Sequence, residues 1–324
     1  MTDNRSHLAL QYRYLSRAYP RFLLRRRLQA YPFRIHIQTH SRCNARCATC
    51  PYVNTAALRE HGTMKWDVFD RLVTELGSAD ASSTVIFVLQ HEPLMNPDLF
   101  TWVRHLKTIA PTTRCQVITN GSLLGNFPLE EIAASGVDML SVSLNAHTRE
   151  TFERINTGLD FTTVMENALR VAGDEALRQR LRVSYVVTEI NQAEIGEAVA
   201  FWKSRGVMTQ VKRLTNRAGA LPAYESLLSS TRPEQNLIES AAAGVRRSVR
   251  RIIGCPMPFY ETDILFNGDV ILCCQDWNHD PVIGNIGTES LRSIWNGPAL
   301  TALRHSILTH RCDQIAACRG CSIA

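Results

Sequence analysis

Six stretches with the pattern of β-strands alternate with helix-length amphipathic stretches between residues 33 and 213, and this alternation limits the fold more than any other feature. Strand–helix units at this spacing predict an α/β fold built on a parallel sheet with right-handed crossovers. Ligands of such sheets bind at the carboxyl ends of the strands. The predicted strands are Phe33–Thr39, Thr84–Gln90, Arg114–Thr119, Met139–Leu144, Arg182–Val187 and Thr209–Arg213. The predicted helices are Met64–Leu76, Pro97–Ile109, Leu129–Ala134, Thr162–Ala172 and Ala193–Ser204.

Three cysteines follow the first predicted strand with the spacing Cys-x3-Cys-x2-Cys, at Cys43, Cys47 and Cys50. They lie in a loop at the carboxyl end of that strand, where three thiolates can surround one small object. Three cysteines suit a metal cluster better than a disulfide, and a cubane held by three thiolates keeps one iron open for a chelating molecule. A structural zinc knuckle, or chance cysteines in a core, is the alternative.

The cysteine loop resembles that of the radical S-adenosylmethionine (SAM) enzymes, in which three cysteines at this spacing hold a [4Fe–4S] cluster. The resemblance implies a partial (β/α)6 barrel over residues 33–213. It implies that SAM chelates the fourth iron and is split into methionine and a 5′-deoxyadenosyl radical, which removes a substrate hydrogen atom. The family often has an aromatic residue just before the third cysteine. Thr49 stands there, so Tyr52 is the candidate for contact with adenine.

Polar residues follow three further predicted strands, where the same resemblance implies contacts to SAM. Gln90, His91 and Glu92 occupy the place of the family's Gly-Gly-Glu stretch, whose backbone receives the SAM amino group. Because Gln-His replaces Gly-Gly, the close backbone approach that glycine allows is in question. A hydrogen-bonded loop histidine is the simpler interpretation of His91. The other predicted cofactor contacts are Thr119, Asn120, Ser143 and Asn145.

A second set of cysteines lies in the last seventy residues. Asn267-Gly268 between apolar runs predicts a β-hairpin that ends at Cys273. Four cysteines from two separate places can saturate a cluster, and a zinc ribbon is the alternative. The region resembles the twitch domain, a shortened SPASM domain built from a β-hairpin and a helix. The resemblance, which includes radical SAM dehydrogenases that oxidise an aminocyclitol, implies one auxiliary [4Fe–4S] cluster on Cys255, Cys273, Cys318 and Cys321.

Three cysteines remain, and each has its own interpretation. Cys115 begins a strand and is expected to be a small buried hydrophobe. Cys274 follows a ligand and is expected to point to the opposite side of its strand. Cys312 lies six residues before Cys318 and could substitute as a ligand. Cys274 and Cys312 are also candidate hydrogen-atom donors.

The length of 324 residues is enough for one large domain and a small one. The chain is 45% apolar and 20% charged, which is typical of a globular protein. Neither a run of about 18 apolar residues nor a secretory signal is visible, so we expect no membrane span. Ten cysteines in clusters favour a reducing, cytoplasmic location. The net charge of +6 permits an anionic substrate or partner without requiring one, and no nucleic-acid partner is expected.

We expect four segments along the chain. Residues 1–32 form a basic arm that either caps the barrel or docks an acidic partner. Residues 33–213 form the barrel, residues 214–254 a connector, and residues 255–324 the auxiliary domain. Arg217, at the start of the connector, is a candidate substrate contact.

Three hypotheses of function follow. The first is an oxidoreductase that passes an electron from a small polyol, aminocyclitol or sugar to the auxiliary cluster. The second is an enzyme that crosslinks or epimerises a peptide, and the third is a non-catalytic metal-binding module. Either enzyme needs an external electron donor such as flavodoxin or ferredoxin.

Overall fold

Nine strands of the described residues form a single sheet, in the order β6-β5-β4-β3-β2-β1-β7-β8-β9. The computed structural model describes residues 30–58, 60–229 and 254–322. Strands β1 to β6 pair in parallel with their neighbours in chain order, so the predicted parallel sheet with helical crossovers is confirmed. Within these residues the sheet runs from β6 to β9 without closing on itself, which is the predicted partial barrel.

The strands lie close to their predicted positions. They are β1 Arg34–Ile37, β2 Thr84–Phe87, β3 Arg114–Thr119, β4 Met139–Ser143, β5 Leu181–Val187, β6 Met208–Arg213, β7 Glu261–Ile264, β8 Asp269–Ile271 and β9 Val282–Asn285.

The helices connect the strands and cover the outer face of the sheet. They are α1 Tyr52–Thr55, α2 Trp66–Ser78, α3 Leu99–Ile109, α4 Leu129–Ala134, α5 Arg149–Ile155, α6 Phe161–Gly173, α7 Glu175–Arg178, α8 Ile195–Lys203, α9 Tyr224–Leu227, α10 Leu291–Trp295 and α11 Pro298–Leu308. Side chains cap several of them. For example, Asp160 accepts from the Thr163 N–H at 2.7 Å at the start of α6.

The two faces of the sheet differ in chemistry because side chains alternate along each strand. Apolar residues such as Ile35, Val85 and Val183 face the helices and form the main core. Their neighbours in sequence face the concave interior of the barrel, which we call the lumen. Several of these lumen residues are polar or charged, including Arg34, His36, Ser141, Arg182, Ser184, Lys212, Glu261 and Asp263.

The C-terminal hairpin continues the barrel sheet, which the sequence did not predict. Strand β7 pairs in parallel with β1, with His36 opposite Asp263, and β8 and β9 then add in antiparallel order. A separate apolar cluster around Phe259, Trp295 and Ile307 supports this region. The auxiliary region is therefore attached to the barrel by a strand ladder as well as by the chain.

Cys115 is fully buried in the main core, as predicted. The stretch from Leu221 onward has the composition of an open loop, but the short helix α9 forms there because Leu214, Leu221 and Leu227 pack together. The basic arm, apart from its last residues, lies outside the described residues, and so does the basic cluster of Arg246, Arg247, Arg250 and Arg251 in the connector. Among the residues described, no helix has both the length and the apolar character needed to cross a bilayer.

Candidate functional site

The loop after β1 brings Cys43, Cys47 and Cys50 together. A negative charge on Cys43 or Cys50 raises the pKa of Cys47, so the three sulfurs are electrostatic neighbours. Burial is the larger influence, and it raises the pKa of Cys43 to about 12. The loop is held from outside by backbone hydrogen bonds from Ala48 N–H to Ile155 O and from Arg46 N–H to Thr157 O, both 2.8 Å long. Because desolvation raises their pKa values, these thiols need a bound cation to exist as thiolates near neutral pH.

Tyr52 fastens this loop through its hydroxyl group. The hydroxyl accepts from the Cys43 N–H at 3.0 Å and donates to Ser41 O at 3.2 Å. The ring also borders a cavity of about 330 Å³ at the mouth of the barrel, which Gln38, Gln90 and Trp277 help to line. Contact between Tyr52 and adenine stays a prediction.

Gln90 adopts the backbone conformation that glycine would favour at this place. Its φ is +56°, and the preceding Leu89 has a φ of +108°. Such angles are costly for residues with a Cβ and occur where surrounding contacts enforce them. The Gln90 side chain provides such contacts, because its Nε2 donates to Asp276 O at 2.9 Å and its Oε1 lies 2.9 Å from His279 Nε2. The loop therefore has a glycine-like turn and a link to the C-terminal region.

His91 has hydrogen bonds at both ring nitrogens. Its Nδ1 lies 2.9 Å from Leu89 O, and its Nε2 lies 3.2 Å from Thr39 Oγ1. Only a protonated Nδ1 can donate to the carbonyl, and Nε2 accepts from the Thr39 N–H at 3.4 Å, so the ring is neutral. Burial, with a smaller contribution from His40, lowers the pKa of His91 to about 3. These bonds are those of a histidine that holds the loop, and a contact to SAM stays a prediction.

Glu92 joins the ends of β2 and β3. Its carboxylate accepts from Thr119 Oγ1, from the Asn120 N–H at 2.7 Å and from the Leu94 N–H at 3.1 Å. Burial raises the pKa of Glu92 to about 7, although all three hydrogen bonds act in the opposite direction. The backbone N–H of Glu92 also donates to Arg42 O at 3.0 Å. The Glu92 side chain thus organises the loops of the mouth.

Asn120 connects this arrangement to the cysteine loop. Its Nδ2 donates to Asn44 Oδ1 at 2.9 Å, and its Oδ1 accepts from Ser122 Oγ at 2.7 Å. Thr119 Oγ1 accepts from the Gly121 N–H at 2.9 Å. Both residues therefore lie at the mouth of the barrel, beside the cysteine loop.

The backbone changes direction between Ser143 and Asn145, because β4 ends at Ser143 and Asn145 has a φ of +62°. Ser143 is partly exposed, whereas Asn145 is buried. The Asn145 side chain accepts from the Val186 N–H at 3.0 Å and donates to Asn156 Oδ1 at 3.1 Å. Asn145 thus links β4 to β5. Contacts of either residue with SAM remain predictions.

The second cysteine set also converges. Charge on Cys255 raises the pKa of both Cys273 and Cys318, and charge on Cys321 and Cys312 raises that of Cys318. Burial is the dominant influence on both groups and raises the pKa of Cys318 to about 12. Cys312 lies beside this group, and its role as an alternative ligand stays a prediction.

Cys274 lies in the lumen. Its Sγ is 3.7 Å from Glu261 Oε1 and 3.6 Å from Gln275 Nε2. It also falls within 4.8 Å of the ligand-type atoms of His36 and Asp263, which are 2.7 Å from each other. The sequence analysis did not select His36, Glu261, Asp263 or Lys212. Charged residues at alternate positions of strands expected to be buried on both faces were the available signal.

Arg217 is an electrostatic neighbour of Cys50 in the first cysteine site and of Cys274 in the lumen. Its positive charge lowers the pKa of Cys50 and of Cys274, against the larger raising effect of burial. Its φ of +52° is strained for an arginine. Contact between the Arg217 guanidinium and a substrate stays a prediction.

The donor sets fit iron–sulfur clusters. Three partly exposed cysteines in one loop suit a cluster with an open iron, and cysteines from two chain segments suit a saturated cluster. Cys43, Cys47 and Cys50 would hold the first cluster. Cys255, Cys273, Cys318 and Cys321 would hold the second.

Comparisons with known proteins agree with this geometry. The family described as "Radical SAM superfamily" matches residues 37–201, and SPASM, described as "Iron-sulfur cluster-binding domain", matches residues 255–322. The S-adenosyl-L-methionine-dependent 2-deoxy-scyllo-inosamine dehydrogenase of Niallia circulans is 21% identical over 288 residues, which is 89% of this chain and 92% of the relative. This relative is an aminocyclitol dehydrogenase of the kind that the sequence resemblance indicated.

Solved structures show the same fold. BtrN in complex with AdoMet and 2-DOIA has a TM-score of 0.60 at 19% identity, covering 90% of this chain and 92% of BtrN. Streptococcus suis SuiB bound to S-adenosylmethionine has a TM-score of 0.68 at 14% identity, covering 99% of this chain and 78% of SuiB. The chain belongs to the radical SAM superfamily, carries a C-terminal SPASM-type domain, and has SAM and [4Fe–4S] clusters as its cofactors.

Proposed function

We propose that this chain is a radical SAM oxidoreductase that dehydrogenates a small polyol, aminocyclitol or sugar. One observation carries the proposal: β7 pairs with β1 and thereby places the second cysteine set beside the lumen. When bound, SAM with its cluster supplies hydrogen-atom abstraction, and the auxiliary cluster supplies one-electron acceptance. Oxidation of an alcohol to a ketone requires both, together with loss of the hydroxyl proton.

The chain's own residues orient the substrate in this proposal. Asp263 is fully buried, and its Oδ2 has no hydrogen-bond partner among the described residues. Its other oxygen is fixed by His36. A substrate hydroxyl in the lumen would give Oδ2 the donor that a buried acceptor requires.

Hydrogen bonds between the barrel and the C-terminal region hold the two cysteine sets at a fixed separation, which supports electron transfer between them. Asn216, just after β6, donates from Nδ2 to Gly320 O at 2.6 Å and accepts from the Ser322 N–H at 2.8 Å. These bonds attach the turn of Cys318 and Cys321 to the end of the barrel. We retain the division into barrel 33–213, connector 214–254 and auxiliary domain 255–324 as part of the proposal.

A second candidate is epimerisation, and the position of Cys274 favours it. A thiol in the lumen can return a hydrogen atom to the substrate carbon, whereas Cys312 lies with the second cysteine set. Peptides are the corresponding alternative substrates, because SuiB binds the precursor peptide SuiA in a structure of the same fold.

The experiment uses enzyme reconstituted anaerobically with iron and sulfide. We expect about eight iron atoms per chain for two cubane clusters, about four in Cys255→Ala, and about eight in the matched control Cys115→Ala. With SAM and a reductant, 5′-deoxyadenosine should form. Deuterium from the carbinol carbon of 2-deoxy-scyllo-inosamine, the compound named for the Niallia circulans relative, should enter it.

The outcomes separate the hypotheses. Cys255→Ala should still cleave SAM but should yield no ketone. Retention of the alcohol, with solvent deuterium incorporated in a Cys274-dependent manner, would support epimerisation instead. Absence of 5′-deoxyadenosine under all conditions would leave only the non-catalytic metal-binding module.

A further inference from the structure

A group of positive side chains lies together on one wall of the lumen. Lys212 on β6 is within electrostatic reach of Arg182 on β5, Arg217 after β6 and Arg34 on β1. Arg182 is buried, and its Nε lies 3.3 Å from Ser141 Oγ. We call Arg182, Lys212 and Arg217 the cationic wall.

The cationic wall lacks an internal counter-charge at Lys212 and Arg217. Among the described residues, neither side chain has a carboxylate within ion-pairing distance. Arg217 Nε is buried and has no hydrogen-bond partner there. The lumen carboxylates Glu261 and Asp263 act instead on His36 and Cys274.

The cost of this arrangement is visible at Lys212. Desolvation, followed by repulsion from the three arginines, lowers the pKa of its ammonium to about 7. Protein interiors tolerate such groups of like charge where a ligand or another function requires them. An anion placed between these side chains would remove the repulsion and satisfy the donor of Arg217.

The chemistry of the wall selects the anion. Two guanidinium groups offer planar pairs of N–H donors that match the oxygens of phosphate, and an ammonium adds a compact charge. The two guanidinium charges already exceed what a single carboxylate neutralises, and a bound anion would also favour the protonated form of Lys212, so the wall suits the dianionic form of a phosphate monoester. Cys274 connects the wall to the carboxylates, because Arg217 lowers its pKa and Glu261 and Asp263 raise it.

We propose that the cationic wall of Arg182, Lys212 and Arg217 binds a phosphate group of the substrate. The substrate class is then a phosphorylated polyol, aminocyclitol or sugar, with its hydroxyl side toward Asp263, and 2-deoxy-scyllo-inosamine serves as a test compound without the phosphate group. This inference rests on the proposed function, because it names the substrate of the same lumen.

The test measures phosphate binding to the reconstituted holoenzyme saturated with SAM. Inorganic phosphate is the probe, and sodium chloride of equal ionic strength is the reference. Phosphate should raise the unfolding temperature and give a saturable isotherm in calorimetry. Loss of one charged hydrogen bond, about 1.5 kcal/mol, predicts an affinity about tenfold lower in Lys212→Met.

The control is Lys203→Met, which removes an exposed lysine at the end of α8 and should bind phosphate like the wild type. If Lys212→Met does not fold, Arg217→Gln carries the same test. Phosphate binding that is absent, that is equal in Lys212→Met, or that disappears once SAM is bound would overturn the proposal. The last result would mean that the wall serves SAM.

Failure here is distinguishable from failure of the proposed function. Formation of 5′-deoxyadenosine, measured in the same preparations, depends on SAM and its cluster. SAM cleavage without phosphate binding removes the cationic wall as a substrate site and leaves the oxidoreductase proposal in place.

Discussion

Replacing Gln90 tests the balance between backbone strain and side-chain contacts at the barrel mouth. Gln90 has a φ of +56°, and its side chain makes hydrogen bonds to Asp276 O and His279 Nε2. The Gln90→Ala variant lacks the two side-chain hydrogen bonds but keeps the strained backbone. The Gln90→Gly variant lacks the hydrogen bonds and also relieves the strain. The two variants therefore separate contributions that the wild type combines.

The magnitudes follow from the structure. Two hydrogen bonds of about 1 kcal/mol each predict that Gln90→Ala lowers the free energy of unfolding by about 2 kcal/mol. Glycine releases left-handed strain of about 1–2 kcal/mol but adds about 0.5–1 kcal/mol of unfolded-state entropy. Gln90→Gly should therefore be more stable than Gln90→Ala by about 0.5–1 kcal/mol.

Gln179 provides the matched control. It is exposed at the end of α7 and has a φ of −72°. Glycine should be less stable than alanine there by about 0.5–1 kcal/mol, the opposite sign. The assay is urea denaturation of the anaerobically reconstituted protein, with all four variants measured under one condition. Subtracting the Gln179 difference from the Gln90 difference isolates the strain.

The refuting result is clear. If the free energies of unfolding of the glycine and alanine variants differ by the same amount and sign at positions 90 and 179, the left-handed backbone of Gln90 stores no strain. The absence of glycine at this turn would then be no conflict with the fold, and the bonds to Asp276 and His279 would lose their role in holding it.

Two further predictions concern the cationic side chains of Lys212 and Arg304. The pKa of Lys212 is about 7 in the folded protein, below its unfolded value, and the charged or titratable groups facing it are Arg182, Arg217, Arg34 and Cys274. Unfolding therefore takes up a proton between about pH 7 and 10. Urea denaturation should therefore show the wild type gaining stability relative to Lys212→Met as pH rises through this range, and a constant difference would contradict the lowered pKa. Arg304 is buried, donates to Pro258 O at 2.7 Å and Trp295 O at 2.6 Å, and stacks 4.1 Å from the Trp295 ring. Thermal unfolding should show a loss of about 2 kcal/mol in Arg304→Lys and little change in Arg292→Lys, which alters an exposed side chain; equal losses would contradict this account.

The sequence predicted most of the barrel because its signals are local. Strand Arg114–Thr119 and helix Leu129–Ala134 have their predicted bounds. The Asn267-Gly268 turn lies between β7 and β8 as expected, with Gly268 at a φ of +87°. These elements depend on the spacing of apolar residues and on turn chemistry, both of which are visible in a short window of sequence.

The missed features depend on distant partners. No local pattern states that β7 pairs with β1, 227 residues earlier, or that Asp263 meets His36. The direction of Asn145 could not be read from strand alternation, because its backbone turns into the left-handed region just beyond β4. Tertiary contacts decide these points, and one sequence does not display them.

Three links between the barrel and the C-terminal region explain how two cofactor sites can share one substrate space. The pair of His36 and Asp263 lies within the sheet, Gln90 reaches Asp276 from the loop after β2, and Asn216 holds the turn at Gly320 after β6. They surround the lumen at different strands, so rotation of the C-terminal region about any one link would strain the other two. Because each link involves a loop or strand that also borders the lumen, the geometry of the substrate space and the distance between the cysteine sets are set by the same bonds.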